Sequence, residues 1–476
     1  MDAFISCKRQ RLSDPTMSLV PASSNTENTM TELAGDDEST DFKLALLLSL
    51  HPSLGEEALL EALLASDGSV EQASEALKLD LRLTSSPRKK FAPARDGTGY
   101  QSSLFTFSTT KERNGTEKRT QIIKKRLTKK GQTLYLYAPA DVEAHTPCSI
   151  IHNFLPREQA DALLLELLKE APTFNRDSFK LFDRVVTSPH SFCFYVDGWD
   201  EVEKQRTEYV YNGGAVKDVR PSLPEMLKAS TLVQEAVNGE IQRRLQNFYP
   251  NGKKLKYQSP QPWKPNTAFV NCYDGPTENV GYHTDELTYL GPRAVIGSLS
   301  LGVAREFRIR KIVAQDDNRS SKEEVANAQG QISIRLPHNS LLVMHAEMQE
   351  EWKHSIAPAR SIEPHPLAKN KRINITYRCY KDSLHPKFTP KCMCGIAAAL
   401  RCMQKKKESR GRYFWMCHAS FQPDIDGCSF FKWAEFDEDG EPPWASRRKT
   451  EATYENPESE MKKLTEEIIE EPAESS

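Results

Sequence analysis

The hydrophobic and polar positions of this chain change period along its length, and each period predicts a different kind of element. Between residues 36 and 80 the segments "DFKLALLLSL", "LGEEALLEALLAS" and "SVEQASEALKL" carry apolar residues at helical spacing. They are interrupted at His51-Pro52 and Asp67-Gly68, which stop helices. A compact three-helix module is expected there. From residue 133 to about residue 382 the pattern becomes globular. One amphipathic helix, "PREQADALLLELLKE" (Pro156 to Glu170), opens with proline in its first turn. Short alternating runs follow: "TAFVNCY", "AVIGSLSLG", "EFRIR", "QISIRLP", "SLLVMHA" and "RINITYRCY". Short strands at such spacing predict an all-β sandwich or jelly roll. The interval Gln315–Gly330 reads as a polar surface loop.

The run Arg372-Ile-Asn-Ile-Thr-Tyr-Arg378 alternates strictly. A strand sends successive side chains to opposite faces. Ile373, Ile375 and Tyr377 therefore share one face, while Arg372, Asn374, Thr376 and Arg378 share the other. Two arginines on one face of one strand ask for an anionic partner.

Composition changes this picture at the ends. The chain has 476 residues, of which 38% are hydrophobic, so two or three domains and some unpacked sequence are expected. Residues 1–35, rich in Ser, Thr, Asn and Asp, and the acidic tail 438–476 are read as disordered. "CKRQR" (Cys7 to Arg11) is either a solvated charge run or a nuclear import signal, and nuclear localisation is the expectation. Residues 81–132 form a basic linker, with 14 Lys/Arg against 3 Asp/Glu between Leu81 and Lys130, so attraction to phosphate follows. No signal peptide and no apolar run of membrane-spanning length is seen, so no membrane partner is expected. Of ten cysteines, Cys392, Cys394, Cys402, Cys417 and Cys428 crowd into one stretch, which reads as metal binding rather than disulfides.

His283 and Asp285 stand two apart, on one face if they lie in a strand. With a distant second histidine they would form a 2-His-1-carboxylate triad, which leaves open positions on Fe(II). His338, His345, His354 and His365 are in range, and His354 in "WKHSIAP" is favoured over His345. Asn271 and Tyr273 repeat the two-residue spacing on the preceding strand. A small dicarboxylate chelating iron at one end needs an arginine fork at the other. Arg372 and Arg378 are therefore expected to face inward, beside a metal.

These residues carry a resemblance. Asn271-x-Tyr273, His283-x-Asp285, His354-Ser355 and Arg372-x-Asn374-x-Thr376-x-Arg378 occur in the order found in the AlkB family of 2-oxoglutarate- and Fe(II)-dependent nucleic-acid demethylases. "SLSLGVAREFRIR" and "LPHNSLLVM" look like its eukaryotic DNA-repair branch. The resemblance spans about Pro147 to Asp382 and implies a double-stranded β-helix (jelly-roll) oxygenase domain over residues 133–385. It implies that His283, Asp285 and His354 bind iron and that Arg372 holds the far carboxylate of 2-oxoglutarate. Asn271, Tyr273, Asn374, Thr376 and Arg378 would complete that pocket. The implied reaction removes N-methyl groups of the 1-methyladenine and 3-methylcytosine type, releasing succinate, carbon dioxide and formaldehyde, on a base flipped out of the duplex. "EYVYNGG" resembles the family's base-stacking stretch, which points to Tyr211 and Tyr209, with strand packing as the alternative. Two departures concern the base: Leu287 stands where the repair branch usually has an acid, with Glu286 one residue early, and Pro189-His190 replaces a Pro-Arg.

Residues 36–80 resemble a CUE-type ubiquitin-binding module, with Leu50-His51-Pro52 and Leu77-Lys78-Leu79 in place of its contact motifs. Residues 388–437 resemble a GRF-type zinc finger, its triplet here Gly411-Arg412-Tyr413. Cys392, Cys394, Cys417 and Cys428 are the expected Zn(II) ligands, and Cys402 is read as packing. Lys405, Lys406, Lys407, Arg410, Arg412 and Phe431 suit single-stranded nucleic acid. The fold class expected is α+β, mainly β, with a small helical module before the jelly roll and a small zinc-bound β domain after it. The function expected is a DNA-repair dioxygenase using Fe(II) and 2-oxoglutarate, with DNA and ubiquitin as partners. The alternatives are an RNA or protein demethylase with the same chemistry and a non-enzymatic DNA- and ubiquitin-binding adaptor.

Overall fold

The computed structural model describes residues 40–51, 54, 56–66, 68–84, 128–181, 184–314 and 328–445. The readings of residues 1–35, of the cluster Cys7–Arg11, of residues 85–127 in the basic linker and of the tail beyond 445 lie outside them, as does most of the loop at Gln315–Gly330.

Two sheets face each other. The larger has seven strands in the order Cys148–His152, Ser340–Met344, Ile296–Gly302, Lys371–Arg378, Thr267–Asp274, Ser191–Val196 and Val219–Pro221. The smaller has five, in the order Thr133–Leu136, Gln331–Leu336, Arg305–Lys311, Trp352–Ile356 and Val280–His283. From residue 267 onward the chain alternates between the sheets except for one hairpin, Arg305–Lys311 to Gln331–Leu336, within the smaller sheet, the topology of a jelly roll. The runs "TAFVNCY", "EFRIR", "QISIRLP" and "SLLVMHA" all fall on these strands.

The strand Lys371–Arg378 is interior, paired with Ile296–Gly302 on one side and Thr267–Asp274 on the other. Both of its faces are buried. Ile373, Ile375 and Tyr377 join Val270, Leu299 and Leu301 in an apolar core roofed by two helices. Helix Arg157–Glu170 contributes Ala160, Leu163, Leu164 and Leu167. It begins one residue later than expected, with Pro156 as its N-cap. Helix Pro224–Phe248 contributes Met226, Ala229, Val233 and Val237 at three- and four-residue spacing. It lies close to the sheet at Gly297, where a Cβ would come within 3.1 Å of both Val233 and Val237. The opposite face of the strand, with Arg372, Asn374, Thr376 and Arg378, points between the sheets.

The three N-terminal helices are Thr40–Leu50, Glu56–Ala65 and Val70–Thr84, packed around Leu44, Leu47, Leu59, Leu63, Val70, Ala73 and Leu77. The last helix passes the expected boundary at residue 80. Arg310 of the smaller sheet donates to the Ala65 carbonyl and lies over the Tyr282 ring. Among the described residues no helix is long and apolar enough to cross a membrane.

The cysteine-rich segment forms a three-stranded sheet, Ala399–Cys402, Tyr413–Met416 and Phe431–Trp433. It is not a tethered bead. Ala398, Leu400, Tyr413 and Trp415 share one apolar cluster with Leu287, Leu290, Phe307 and Leu342 of the jelly roll. The boundary expected at residue 438 is also displaced, because residues 438–445 bind back to the oxygenase. The Glu438 carbonyl accepts from Tyr257 N–H (3.0 Å), Glu441 pairs with Lys381 (3.0 Å) and Trp444 Nε1–H donates to the Ser383 carbonyl (2.7 Å).

His345 lies in the core beside Ser149 (3.1 Å), and burial pushes its pKa down to about 3 from 6.5. Below pH 6.5 the unfolded chain takes up a proton at this position that the folded chain refuses down to about pH 3. Stability should therefore fall on acidification through that window, by about 2 kcal/mol between pH 6.5 and 5. Urea denaturation across this range should show a flatter pH slope for His345→Asn than for the wild type. Trp415 is 2% exposed in the shared cluster, so Trp415→Ala should cost the full chain about 3–5 kcal/mol. That loss should appear in the oxygenase transition as well as the finger's. A change confined to the finger would contradict the shared core.

Candidate active site

The strand Val280–His283 pairs with Trp352–Ile356 so that His283 lies opposite His354. Asp285 is not on the strand, as its spacing suggested. The strand ends at His283, and the chain then turns inward, with Asp285 N–H donating to Gln349 Oε1 (2.7 Å). The turn still brings the three together. His354 Nε2 is 3.2 Å and His283 Nε2 3.7 Å from Asp285 Oδ1, and one ligand atom from each residue lies within 4.8 Å of the others. His283 Nδ1 faces the Gly281 carbonyl (2.9 Å), so its proton sits there and Nε2 offers a lone pair to the cluster. Burial holds the His283 pKa well below its ordinary value. Burial alone would raise the Asp285 pKa, but Arg378 and the two histidines overcome it and hold the carboxyl well below the usual range. Two imidazoles and one carboxylate converging in this way are a donor set that fits a divalent metal.

Arg378 was expected in the cosubstrate pocket. Its Nη2 instead donates to Asp285 Oδ2 at 2.6 Å, and its guanidinium lies over the Phe269 ring at 5.1 Å. It orients and neutralises a ligand of the metal cluster. Arg372 has no such partner. It is 1% exposed, and its Nη2 reaches only Ser300 Oγ (2.9 Å) and Asn374 Oδ1 (2.8 Å). Its Nε and Nη1 are buried with no hydrogen-bond partner among the described residues. Burial lowers its pKa to about 10, which still leaves it charged at neutral pH. A buried cation with two unused donors is costly unless an anion completes it.

The remaining polar residues brace this arginine. Asn374 is fixed by Ser298 (3.0 Å) and donates to Thr376 Oγ1 (2.8 Å), so Thr376 acts as its anchor. Tyr273 lies under the Arg372 guanidinium (5.2 Å) and stacks on His190 (4.8 Å). His190 Nε2 is 3.0 Å from Asn271 Oδ1. Asn271, Tyr273, Arg372, Asn374, Thr376 and Arg378 line one cavity with the triad.

The two stacking candidates separate. Tyr211, on the short hairpin Val210–Tyr211/Gly214–Ala215, lines the cavity and packs edge-on to Phe194 (5.2 Å). Tyr209 caps the preceding helix and is packed among Tyr289, Tyr380 and His385 away from the cavity, so the packing alternative holds for it. Leu287 is buried in the apolar cluster, and the neighbouring Glu286 lines the cavity instead. Phe269, His190, Phe179 and Glu286 are cavity residues that motif matching did not assign. Strand parity marks Phe269, two positions from Asn271 on the same face.

In the finger, one Sγ from each of Cys392, Cys394, Cys417 and Cys428 lies within 4.8 Å of the others, with Cys394 and Cys417 3.9 Å apart. Backbone N–H groups of Ala419 (3.5 Å) and Cys428 (3.4 Å) point at the Cys417 sulfur. Four converging thiols without a disulfide fit a tetrahedral zinc site. Cys402 lies outside this group, packed in the shared apolar cluster.

Residues 147–378 match the 2OG-Fe(II) oxygenase superfamily and residues 390–437 match the GRF zinc finger. The DNA oxidative demethylase ALKBH2 of Arabidopsis thaliana is 26% identical over 244 residues, covering 48% of this chain and 64% of that protein. The alpha-ketoglutarate-dependent dioxygenase alkB homolog 3 of Bos taurus is 32% identical over 114 residues, covering 24% and 36%. The human DNA oxidative demethylase ALKBH2 is 28% identical over 137 residues, covering 25% and 48%. The chain thus spans less than two thirds of the length of each of these relatives. The oxygenase superfamily implies Fe(II) and 2-oxoglutarate, and the finger with its cysteine cluster implies zinc. Together these findings support an AlkB-like 2OG-Fe(II) oxygenase domain over residues 147–378 followed by a GRF zinc finger.

Proposed function

We propose that the chain is a DNA-repair dioxygenase that removes N-methyl groups of the 1-methyladenine and 3-methylcytosine type. The observation that carries this reading is Arg372, a buried guanidinium with two unused donors in the same cavity as the triad. A dicarboxylic cosubstrate matches it, because a carboxylate can accept two parallel hydrogen bonds from one guanidinium. His283, Asp285 and His354 would hold the iron. When bound, Fe(II) with 2-oxoglutarate and oxygen supplies the oxidising power that hydroxylates an N-methyl group, with succinate, carbon dioxide and formaldehyde as products.

The other side chains have positional roles. Arg378 keeps Asp285 ionised and aimed at the cluster. Asn374, Ser300 and the Tyr273 ring fix the Arg372 plane, so little side-chain freedom remains to be lost on binding. Tyr211 offers its ring to a flipped base. The substrate class is drawn from the relatives named as DNA oxidative demethylases.

The exposed side of the finger extends the reading. Phe414 stacks on Phe431 (5.1 Å), Arg412 lies over Trp433 (3.8 Å), and Phe431 is 50% exposed. Aromatic and cationic groups on one small sheet suit single-stranded nucleic acid, which stacks on rings and pairs its phosphates with cations. We further assign ubiquitin binding to the helical module at residues 40–84, on sequence resemblance alone, and a nuclear location to the chain, on the basic cluster Cys7–Arg11 in the sequence.

The chain should be incubated with Fe(II), 2-oxoglutarate and oligonucleotides bearing 1-methyladenine or 3-methylcytosine, as DNA and as RNA, and methyl loss followed by mass spectrometry. Demethylation of the DNA substrates is expected. Turnover on RNA alone would replace DNA as the substrate class, and absence of succinate with iron bound would favour an adaptor. Arg372→Ala should raise the 2-oxoglutarate KM by about 30-fold or more, the cost of unpairing a buried charge, with DNA affinity in gel shift nearly unchanged.

A further inference from the structure

The finger reaches the substrate side of the cavity by two routes, neither of which uses the exposed aromatic side of its sheet. The first runs to the hairpin that carries Tyr211. Gly213 sits so close to the turn after Cys417 that an added Cβ would come within 2.2 Å of the His418 carbonyl. Its φ of +78° also disfavours any side chain. Gln422 Nε2–H donates to the Asn212 carbonyl at 2.7 Å, and the Gln422 amide lies beneath Gly214. Tyr211 and Asn212, both lining the cavity, are thus mounted on the segment His418–Gln422, directly after a cysteine of the thiol cluster.

The second route runs to Glu286. Leu400 N–H, on the finger's first strand, donates to Thr288 Oγ1 (3.2 Å), and Thr288 Oγ1–H donates to Glu286 Oε1 (2.7 Å). Thr288 is 0% exposed, so no water competes for these bonds. His418, its Nε2 on the Ala397 carbonyl (3.0 Å), brings Nδ1 to 3.8 Å from the same Glu286 oxygen. Glu286 is held from behind by the finger and faces the cavity beside Asp285.

We propose that the zinc-bound finger is a structural part of the substrate wall, with Thr288 and Gln422 as positioning residues that set Glu286 and the Tyr211–Asn212 rim. The strand Lys371–Arg378, which carries the 2-oxoglutarate side, takes its hydrogen-bonded neighbours from the jelly roll, Ile296–Gly302 and Thr267–Asp274. The proposal deepens the demethylase reading and rests on it for the identity of the substrate. A finger that only captured nucleic acid could lose its metal and leave chemistry on short substrates intact. This arrangement predicts otherwise.

The first test does not use activity. Hydrogen exchange of the full chain is compared before and after zinc is stripped by a chelator. Amides 208–215 should exchange about tenfold faster or more, as expected when a local brace is lost, with 371–378 unchanged. Unchanged exchange at 208–215, or equal acceleration at 371–378, would overturn the proposal. The second test uses Thr288→Val with a trinucleotide carrying a central 1-methyladenine, too short to bridge to the finger's exposed rings. Its KM should rise about fivefold or more, the net worth of at least one hydrogen bond, with the 2-oxoglutarate KM and zinc content held. Thr288→Ser should restore it. No change in Thr288→Val, or an equal change in the 2-oxoglutarate KM, counts against the proposal. Failure of the wild type to turn over any methylated substrate would remove the demethylase reading instead, leaving the exchange result to decide this one.

Discussion

The buried contact between Arg378 and Asp285 joins the two halves of the sandwich where they must be most polar. Arg378 comes from the middle of the larger sheet, and Asp285 from the turn that leaves the edge of the smaller one. A carboxylate in such a place would ordinarily take up a proton rather than remain charged. The guanidinium removes that option, and the carboxylate stays ionised beside the two imidazoles. The alternation of the strand Lys371–Arg378 makes this possible. Its apolar parity is consumed by the helical roof, so its polar parity can be spent on the cavity. The two arginines at the ends of the polar stripe then divide the work. One is paired with a carboxylate of the protein, and the other, with no carboxylate beside it, is left for a ligand.

Much of this was legible from residue order because period-two patterns commit side chains to faces. The parity of Arg372 to Arg378 and of Asn271 and Tyr273 survives into the fold unchanged. Choosing His354 over His345 worked because a strand ending in apolar core and one lining a polar mouth differ in their neighbours. His345 follows "LLVM" into the interior. Other features were legible but passed over. Helix Pro224–Phe248 carries proline at its first position and buried residues at helical spacing, an ordinary amphipathic signal. The ion pair of Arg378 was hidden for a different reason. Parity says which side of a strand a guanidinium leaves from, but not which of two anions it meets. Tyr209 and Tyr211 share a parity as well, but Tyr209, at the helix cap, packs on Tyr289, Tyr380 and His385, whereas Tyr211 lines the cavity.

The finger was the least legible part. Cysteine spacing identifies a metal site without saying what the rest of the domain packs against. Its buried face is made of Ala398, Leu400, Tyr413 and Trp415, residues that would also suit the core of an independent small domain. The surrounding sequence gives no sign that their partners, among them Leu287, Leu290, Phe307 and Leu342, belong to the jelly roll. Nor does composition show that an acidic segment with Trp444 and Glu441 would fold back as a clasp. Long-range packing of this kind has no local signature.

Among the described residues the strand bearing His283 has a hydrogen-bonded neighbour on one side only, and its register shifts between Val280 and His283. His354 and Arg372 start from strands flanked on both sides. Of the three converging donors, only one is therefore anchored in a lattice that resists displacement. The other two lie on the outermost strand of the sheet and the bend beyond it. An ion gripped there would act as a rivet, pinning a loose border of the smaller sheet to its stiff interior.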